Sequence, residues 1–309
     1  YAKQLGASTA ISGYYLAFAY FAITLGALSA GWVSDEFQRR KLPLIIGGLI
    51  DIPTTWLMGQ VHTIWGLAMV TAVLWYLGGF LLSMISILTG LSVATHERGK
   101  IFGILAMTMG LGMLIGGLGI GWLVNQWGYT TMFTILAIVF VLFPACAMFL
   151  EEEEVNLPNT AKNHAQRTPG LGKNFYLFFS ATILASIMGF FAMLIRSTVM
   201  NDLKFSPLEI SSTIAIAGLI AMPFPLLMGW LSDRIGRKAL LFIGYITSLA
   251  SFCFLAFSRV LWNFWLVFIG QGIGTGTAGV GNALVSDMVP FESLGRGLAV
   301  IGSASWIGG

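Results

Sequence analysis

Gly31-Trp32-Val33-Ser34-Asp35 returns later in the chain as Gly229-Trp230-Leu231-Ser232-Asp233, 198 residues further on. Independently, Arg98-Gly99 returns as Arg296-Gly297, again after 198 residues. Two landmarks at one spacing indicate duplication of a larger unit. Each copy of the longer motif closes an apolar run and opens a short basic turn, ending at Arg39-Arg40-Lys41 in the first copy and at Arg237-Lys238 in the second. Both copies therefore read as a helix, a charged turn and another helix.

The surrounding composition says what solvent those helices meet. Of 309 residues, 57% are hydrophobic and 9% charged, and the mean hydropathy is +0.84. A soluble domain carries about 25% charged residues. The apolar blocks approach the ~20 residues needed to cross a bilayer, and only helices satisfy their own backbone there. A membrane β-barrel would alternate over ~10-residue segments, which these continuous runs do not. The fold class is therefore all-α and polytopic. Ten full or partial crossings are expected, over 10–33, 43–61, 64–94, 101–124, 130–150, 174–200, 208–232, 239–258, 262–288 and 297–309. A polar segment, 151–173, opens with Glu151 to Glu154 and separates residues 1–150 from 174–309; it reads as a solvated cytoplasmic linker. The chain opens at Tyr1 without an initiator Met and stops at Gly309 inside an apolar run, so both ends read as cut.

Charge gives the orientation. With the two motif turns, the 96–100 turn, the linker and Arg296 on one side, that side holds twelve of the sixteen Lys and Arg residues. The exceptions are Lys3, Arg196, Lys204 and Arg259. Short loops rich in Lys and Arg stay cytoplasmic, so this is the inner side. Both copies of the motif then lie on the same face, as in parallel repeats related by an axis along the membrane normal.

The motif and its repeat resemble the signature of the major facilitator superfamily, Gly-x-x-x-Asp-[Arg/Lys]-x-Gly-[Arg/Lys]-[Arg/Lys], between the second and third helices of each half. The second copy matches throughout with Gly229, Asp233, Arg234, Gly236, Arg237 and Lys238. The first keeps Gly31, Asp35, Arg39 and Arg40 but has Glu36 at the first basic position and Gln38 at the glycine. The resemblance spans the chain. It implies twelve helices in two six-helix half-bundles, with helices 2 to 6 in 1–150 and helices 7 to 10 plus the start of 11 in 174–309. It also implies a cytoplasmic latch that stabilises the outward-open state. In that latch Asp35 meets the start of the eleventh helix near Arg296, Asp233 meets the start of the fifth near Arg98, and Asp287 joins through Arg234 or Arg237. An anion at a helix N-terminus is favoured by the dipole, which gives the latch a physical basis.

Other residues are candidates for transport itself. Asp51 is the one acid well inside an apolar crossing, beside a helix break at Pro53, and is a candidate proton- or cation-coupling carboxyl. Arg196 either snorkels to the headgroups or holds an anionic solute. Gln271 and Asn282 are candidate hydrogen-bonding groups for a solute. Tyr14, Tyr15, Tyr20, Phe190, Phe191 and Met193 are candidates for an aromatic cavity wall. Gly112, Gly116, Gly117 and Gly121 form small-xxx-small pairs suited to close helix packing. In the resemblance, glycines at this spacing with a proline mark proton-linked antiporters. Gly117 stands where that proline belongs, and no Arg or Lys occurs from Leu42 to Glu97, where many such antiporters carry an Arg.

Several function classes lack their residues. The sequence has no His-Glu-x-x-His, no phosphate-binding Gly-x-x-x-x-Gly-Lys-[Ser/Thr] and no Gly-x-Ser-x-Gly, so no enzyme is expected. His62, His96 and His164 are scattered, and Cys146 and Cys253 read as packing residues rather than a metal or disulfide framework. No cofactor is expected beyond a coupling proton or cation. The expected partners are membrane lipid and a small organic solute, without nucleic acid, for a monomer in a prokaryotic cytoplasmic membrane. The reading is a secondary active or facilitative carrier; the alternatives are a proton-linked efflux antiporter and a non-transporting sensor or scaffold on the same fold.

Overall fold

A computed structural model describes the chain except residues 1–4, 6–8, 38–39, 95–96, 151–170, 206–208, 210–212, 214–215, 217, 220–222, 291–292 and 309. Arg39, Gln38, His96 and His164 thus lie outside the described residues, as do the side chains of Asp35, Gly117, Gly121 and Met193. Eleven helices are described: α1 Thr9–Phe37, α2 Lys41–Met58, α3 Ile64–Ser92, α4 Arg98–Phe140, α5 Leu142–Met148, α6 Lys173–Asp202, α7 Pro223–Ile235, α8 Arg237–Leu255, α9 Leu261–Gly276, α10 Ala278–Met288 and α11 Leu294–Ile307.

Among the described residues six helices are long and apolar enough to cross a membrane. Of the crossing expected over 208–232, the part before Pro223 lies largely outside the described residues, and the other expected crossings differ from the helices in two places. The fourth and fifth crossings are joined in α4, which Gly128 divides by a non-helical φ of 76°. Beyond it the chain runs back along α2: Thr130 donates its hydroxyl to the Gly59 carbonyl, and Phe143 lies against Gly48. The crossing expected over 262–288 is broken at Thr277 into α9 and α10, each shorter than a full span. At the end of the expected linker Leu171 is buried and α6 begins at Lys173. At the other turns, Thr63 caps α3 by accepting from the Gly66 N–H at 3.2 Å. Gly236 turns the chain between α7 and α8 in one residue at φ 95°, a conformation only glycine adopts freely.

Many large apolar side chains face outward, among them Trp65, Phe149 and Phe257. Surface of that kind belongs against lipid. Cys146 and Cys253 are on it too: both are free and exposed, so neither is the interior packing residue expected from its apolar run.

The interior is built on close helix pairs. A Cβ on Gly26 of α1 would come within 1.9 Å of the Tyr76 carbonyl of α3, and one on Gly79 within 2.1 Å of the Ile23 carbonyl. α8 and α9 approach through Ser248 and Ser251 against Gly274 and Gly270. Among the described residues, a Cβ on Gly112 would meet nothing within 4 Å and one on Gly116 only Ile120 of its own helix. Gly99 and Gly103, by contrast, sit against the backbone of α7.

Contacts between the two halves run chiefly through two helix pairs, α1 with α11 and α4 with α7. These pairs are equivalent under the 198-residue repeat. The largest buried apolar cluster of the described residues also straddles the halves, near the helix ends that carry the two motifs: Ile87 of α3 and Phe102 of α4 pack with Phe175 of α6, Val285 of α10 and Leu294 and Leu298 of α11. The molecule is closed on that side.

Substituting Gly229→Ala should lower the unfolding temperature of the purified protein in detergent, by an amount equivalent to about 1–3 kcal/mol. The control is Gly78→Ala, where an added Cβ meets nothing within 4 Å and no loss is expected.

Candidate functional site

The cytoplasmic motif of the second half is assembled around one close approach. A Cβ on Gly229 of α7 would lie 2.2 Å from the Gly99 carbonyl of α4, and one on Gly103 2.6 Å from the Pro225 carbonyl. With the backbones this close, Asp233 reaches the first turn of α4 and accepts the backbone N–H of Lys100 at Oδ2, 3.1 Å away. The first N–H groups of a helix lack intrahelical acceptors and carry the positive end of the dipole, so a carboxylate there gains both a bond and a field.

Arg237 extends the cluster. Its guanidinium lies 3.5 Å from Asp233 and 2.5 Å from Asp287, and it donates to the Ala283 carbonyl. The Arg237 side chain is 9% exposed, so this ion pair is better shielded than a surface one. Arg98, buried at the start of α4, has no acid at ion-pair distance among the described residues. It donates from Nε to the Val93 carbonyl at 3.2 Å and from Nη1 to the Ser286 carbonyl at 2.9 Å, which ties α4 to α10. Arg234 takes no part in the Asp287 pair and lies over the Trp230 ring, 3.9 Å from its centroid. Lys238 is exposed. Ser232, Asp233, Gly236, Arg237 and Asp287 line a cavity of about 750 Å³ on this face.

The first copy has the matching backbone contact. A Cβ on Gly31 of α1 would meet the Ala299 methyl at 2.6 Å and the Arg296 Cα at 3.3 Å on α11. Arg40 donates from Nε to the buried Ser34 hydroxyl at 2.9 Å. Arg296 itself is exposed.

Deeper in the bundle, Asp51 is 8% exposed and its Oδ1 has no hydrogen-bond partner. Arg196 is 4% exposed, with its guanidinium 4.2 Å from the Phe268 centroid and Nε unbonded. The side chain turns inward onto α9. Gln271 on α9 and Asn282 on α10 are half-buried and separated by the break at Thr277. Of the expected aromatic wall, Tyr20 and Phe190 meet across the two halves, with ring centroids 5.1 Å apart. Trp75 of α3, which the sequence reading passed over, stands edge-on to Tyr20 at the same 5.1 Å. Tyr14 and Phe191 face outward, and Tyr15 bonds Thr71 at 2.7 Å. Thr55 and Lys100 were likewise not singled out. Thr55 had one available signal, its position one turn from Asp51; Lys100 contributes only its backbone, which carries none.

Arg237→Met leaves Asp287 without its cation. It should destabilise the protein by about 1–3 kcal/mol, read as a drop in detergent unfolding temperature, with Arg237→Lys losing less.

A family model described as the Major Facilitator Superfamily matches residues 1–195 and again residues 177–309. Among curated proteins, the chain is 25% identical over 279 residues to the multidrug resistance protein MdtG of Salmonella choleraesuis (strain SC-B67), an alignment covering 85% of this chain and 68% of that protein. It is 26% identical over 264 residues to MdtG of Klebsiella pneumoniae (strain 342), covering 80% and 63%. The chain thus spans about two thirds of the length of these relatives. Among solved structures, the proton:xylose symporter XylE superposes with a TM-score of 0.70 at 16% identity, over 98% of this chain and 78% of XylE. The human organic anion transporter MFSD10 gives 0.68 at 12% identity, over 99% and 80%. At these identities the two structures speak to the fold alone.

Proposed function

Because the chain belongs to the Major Facilitator Superfamily, a family of membrane transporters, we propose that it carries a small organic solute across the membrane by rocking its two half-bundles about the site between them. The observation that carries this reading is the pair of repeat-related closures on the cytoplasmic side, Gly31 on α11 and Gly229 with Asp233 on α4. Both join elements of opposite halves and are held by short contacts at helix ends. Interfaces of that type switch between discrete packings rather than deform continuously. The half-bundles comprise residues 1–150 and 174–309, joined by the 151–173 linker. The Asp233–Lys100 bond with the Arg237–Asp287 pair is the latch of the closed state.

The solute is a small, mainly apolar organic molecule that enters among charge-poor helices, and Gln271 and Asn282 are its candidate polar contacts. Arg196 is a candidate for an acidic group on it. A second reading, efflux of such solutes against a proton gradient, is favoured by the similarity to proteins named for multidrug resistance over 85% of the chain. The protein acts as a monomer in the cytoplasmic membrane of a prokaryotic cell, without a bound cofactor.

Transport by the full-length protein in proteoliposomes, across a panel of amphiphilic organic solutes with and without a proton gradient, tests the reading. Gradient-driven flux outward supports efflux. Gradient-independent flux supports facilitation. Ligand-induced stabilisation without flux for any solute supports the sensor alternative. Asp233→Asn should shift the protein toward the inward-open state, seen as several-fold faster labelling of cysteines placed on the cytoplasmic ends of α4 and α7. Unchanged labelling would remove the latch.

A further inference from the structure

Among the described residues no other acid lies as deep in an apolar crossing as Asp51. It is ten residues from Lys41 and seven from Met58 along α2, about 15 Å and about 10 Å of helix. Three buried side-chain atoms of the described residues lack any hydrogen-bond partner, and two of them, Asp51 Oδ1 and Thr55 Oγ1, are one turn apart here. Asp51 is 8% and Thr55 1% exposed. The third, Arg196 Nε, is on another helix in the other half.

No charge from a neighbouring element compensates Asp51. α2 packs on α3, α4 and α5. α3 contains no Asp, Glu, Lys, Arg or His, and its one tyrosine, Tyr76, donates to Ser29 of α1. The charges of α4, Arg98 and Lys100, are at its cytoplasmic start, and Tyr129 lies near its outer turn. α5 offers only Cys146, which is exposed. On α2 itself the other charge is Lys41, at the first position.

The chemistry of the two orphan atoms then selects the missing ligand. A carboxylate has acceptors only, and a threonine hydroxyl has a single hydrogen. A proton on Asp51 supplies the second donor and removes a charge from an apolar site. A hard cation would take about six or more oxygen ligands, and the side chains of Asp51 and Thr55 supply three at most.

Other hydroxyls lie between the site and the outer end of α2. Thr54 is buried beside it and donates to the Ile50 carbonyl at 2.8 Å. One turn further, Thr71 of α3 donates to the Met58 sulfur at 3.4 Å and pairs with the Tyr15 hydroxyl of α1 at 2.7 Å. Tyr15 belongs to the helix that also forms the closure with α11.

We propose that Asp51 and Thr55 form a buried proton-binding site, reached from the outer side along the α2–α3 seam past Thr71 and Tyr15, that supplies the coupling proton of the carrier. Its use in coupling rests on the transport reading above, whereas its existence does not. Infrared difference spectra of the full-length protein in lipid, taken from about pH 5 to about pH 9, read the site without any solute. A carboxylic-acid carbonyl band should be present at the acid end and lost reversibly toward the alkaline end. It should be absent in Asp51→Asn and displaced in Thr55→Val. An Asp51→Asn spectrum that superposes on the wild type overturns the site. If that variant does not fold, Asp51→Glu carries the test: a displaced band supports the site and an unmoved one overturns it. In proteoliposomes Asp51→Asn should abolish proton-driven flux and spare solute exchange. A band that behaves as expected with no proton-driven flux in the wild type overturns the coupling use alone.

Discussion

Two backbones meet on the cytoplasmic side where neither carries a side chain, and the closed arrangement depends on that. Gly229 sits against Gly99 so closely that a methyl on either would collide with the other's carbonyl. Only at that separation does Asp233 reach the N–H of Lys100. The hydrogen bond and the dipole favour the carboxylate there, but the small residues set the distance at which both operate. The first half repeats the arrangement with Gly31 on the Arg296–Ala299 turn. Because the two closures join α4 to α7 and α1 to α11, they hold both halves together from either side of the molecular axis, and the apolar cluster around Phe102 and Leu298 fills the space between them.

Much of this was legible in the sequence, because the constraint admits few residue types. Close approach requires glycine, a helix start favours an acid, and a one-residue turn at φ 95° again requires glycine at 236. Duplication at a fixed spacing then told which helix ends correspond. What the sequence did not disclose has a common cause: it names residues but not the face they occupy. Gly112 and Gly116 have the spacing of a packing motif, and among the described residues no other helix stands opposite them. Arg196 lies near a helix end, but its direction along α6 sends it onto Phe268 rather than toward the headgroups. Cys146 and Cys253 sit in apolar runs and are nonetheless on the outside, since in a membrane protein apolar sequence does not distinguish interior from lipid contact. The break at Thr277 had no proline to announce it. Arg98, named from the sequence as a latch partner, bonds carbonyls, which belong to every residue and so leave no trace in the sequence.

That choice of acceptor gives α10 a particular standing. Its last turn is approached by cations from both halves, Arg98 of α4 on the Ser286 carbonyl and Arg237 of α8 on the Ala283 carbonyl and Asp287. Helix C-termini carry the negative end of the dipole and attract such groups. Arg237 belongs to the same half as α10 and can keep its place when the halves part. Arg98 does not: on the proposed rocking it would keep the Val93 carbonyl of its own half and exchange that of Ser286 for another acceptor. On the proposed rocking, a parting of the halves would bring the Arg98 guanidinium, still on the protein, into contact with water or lipid phosphate. The closed form would then be sensitive to ionic strength and to anionic lipid at that boundary.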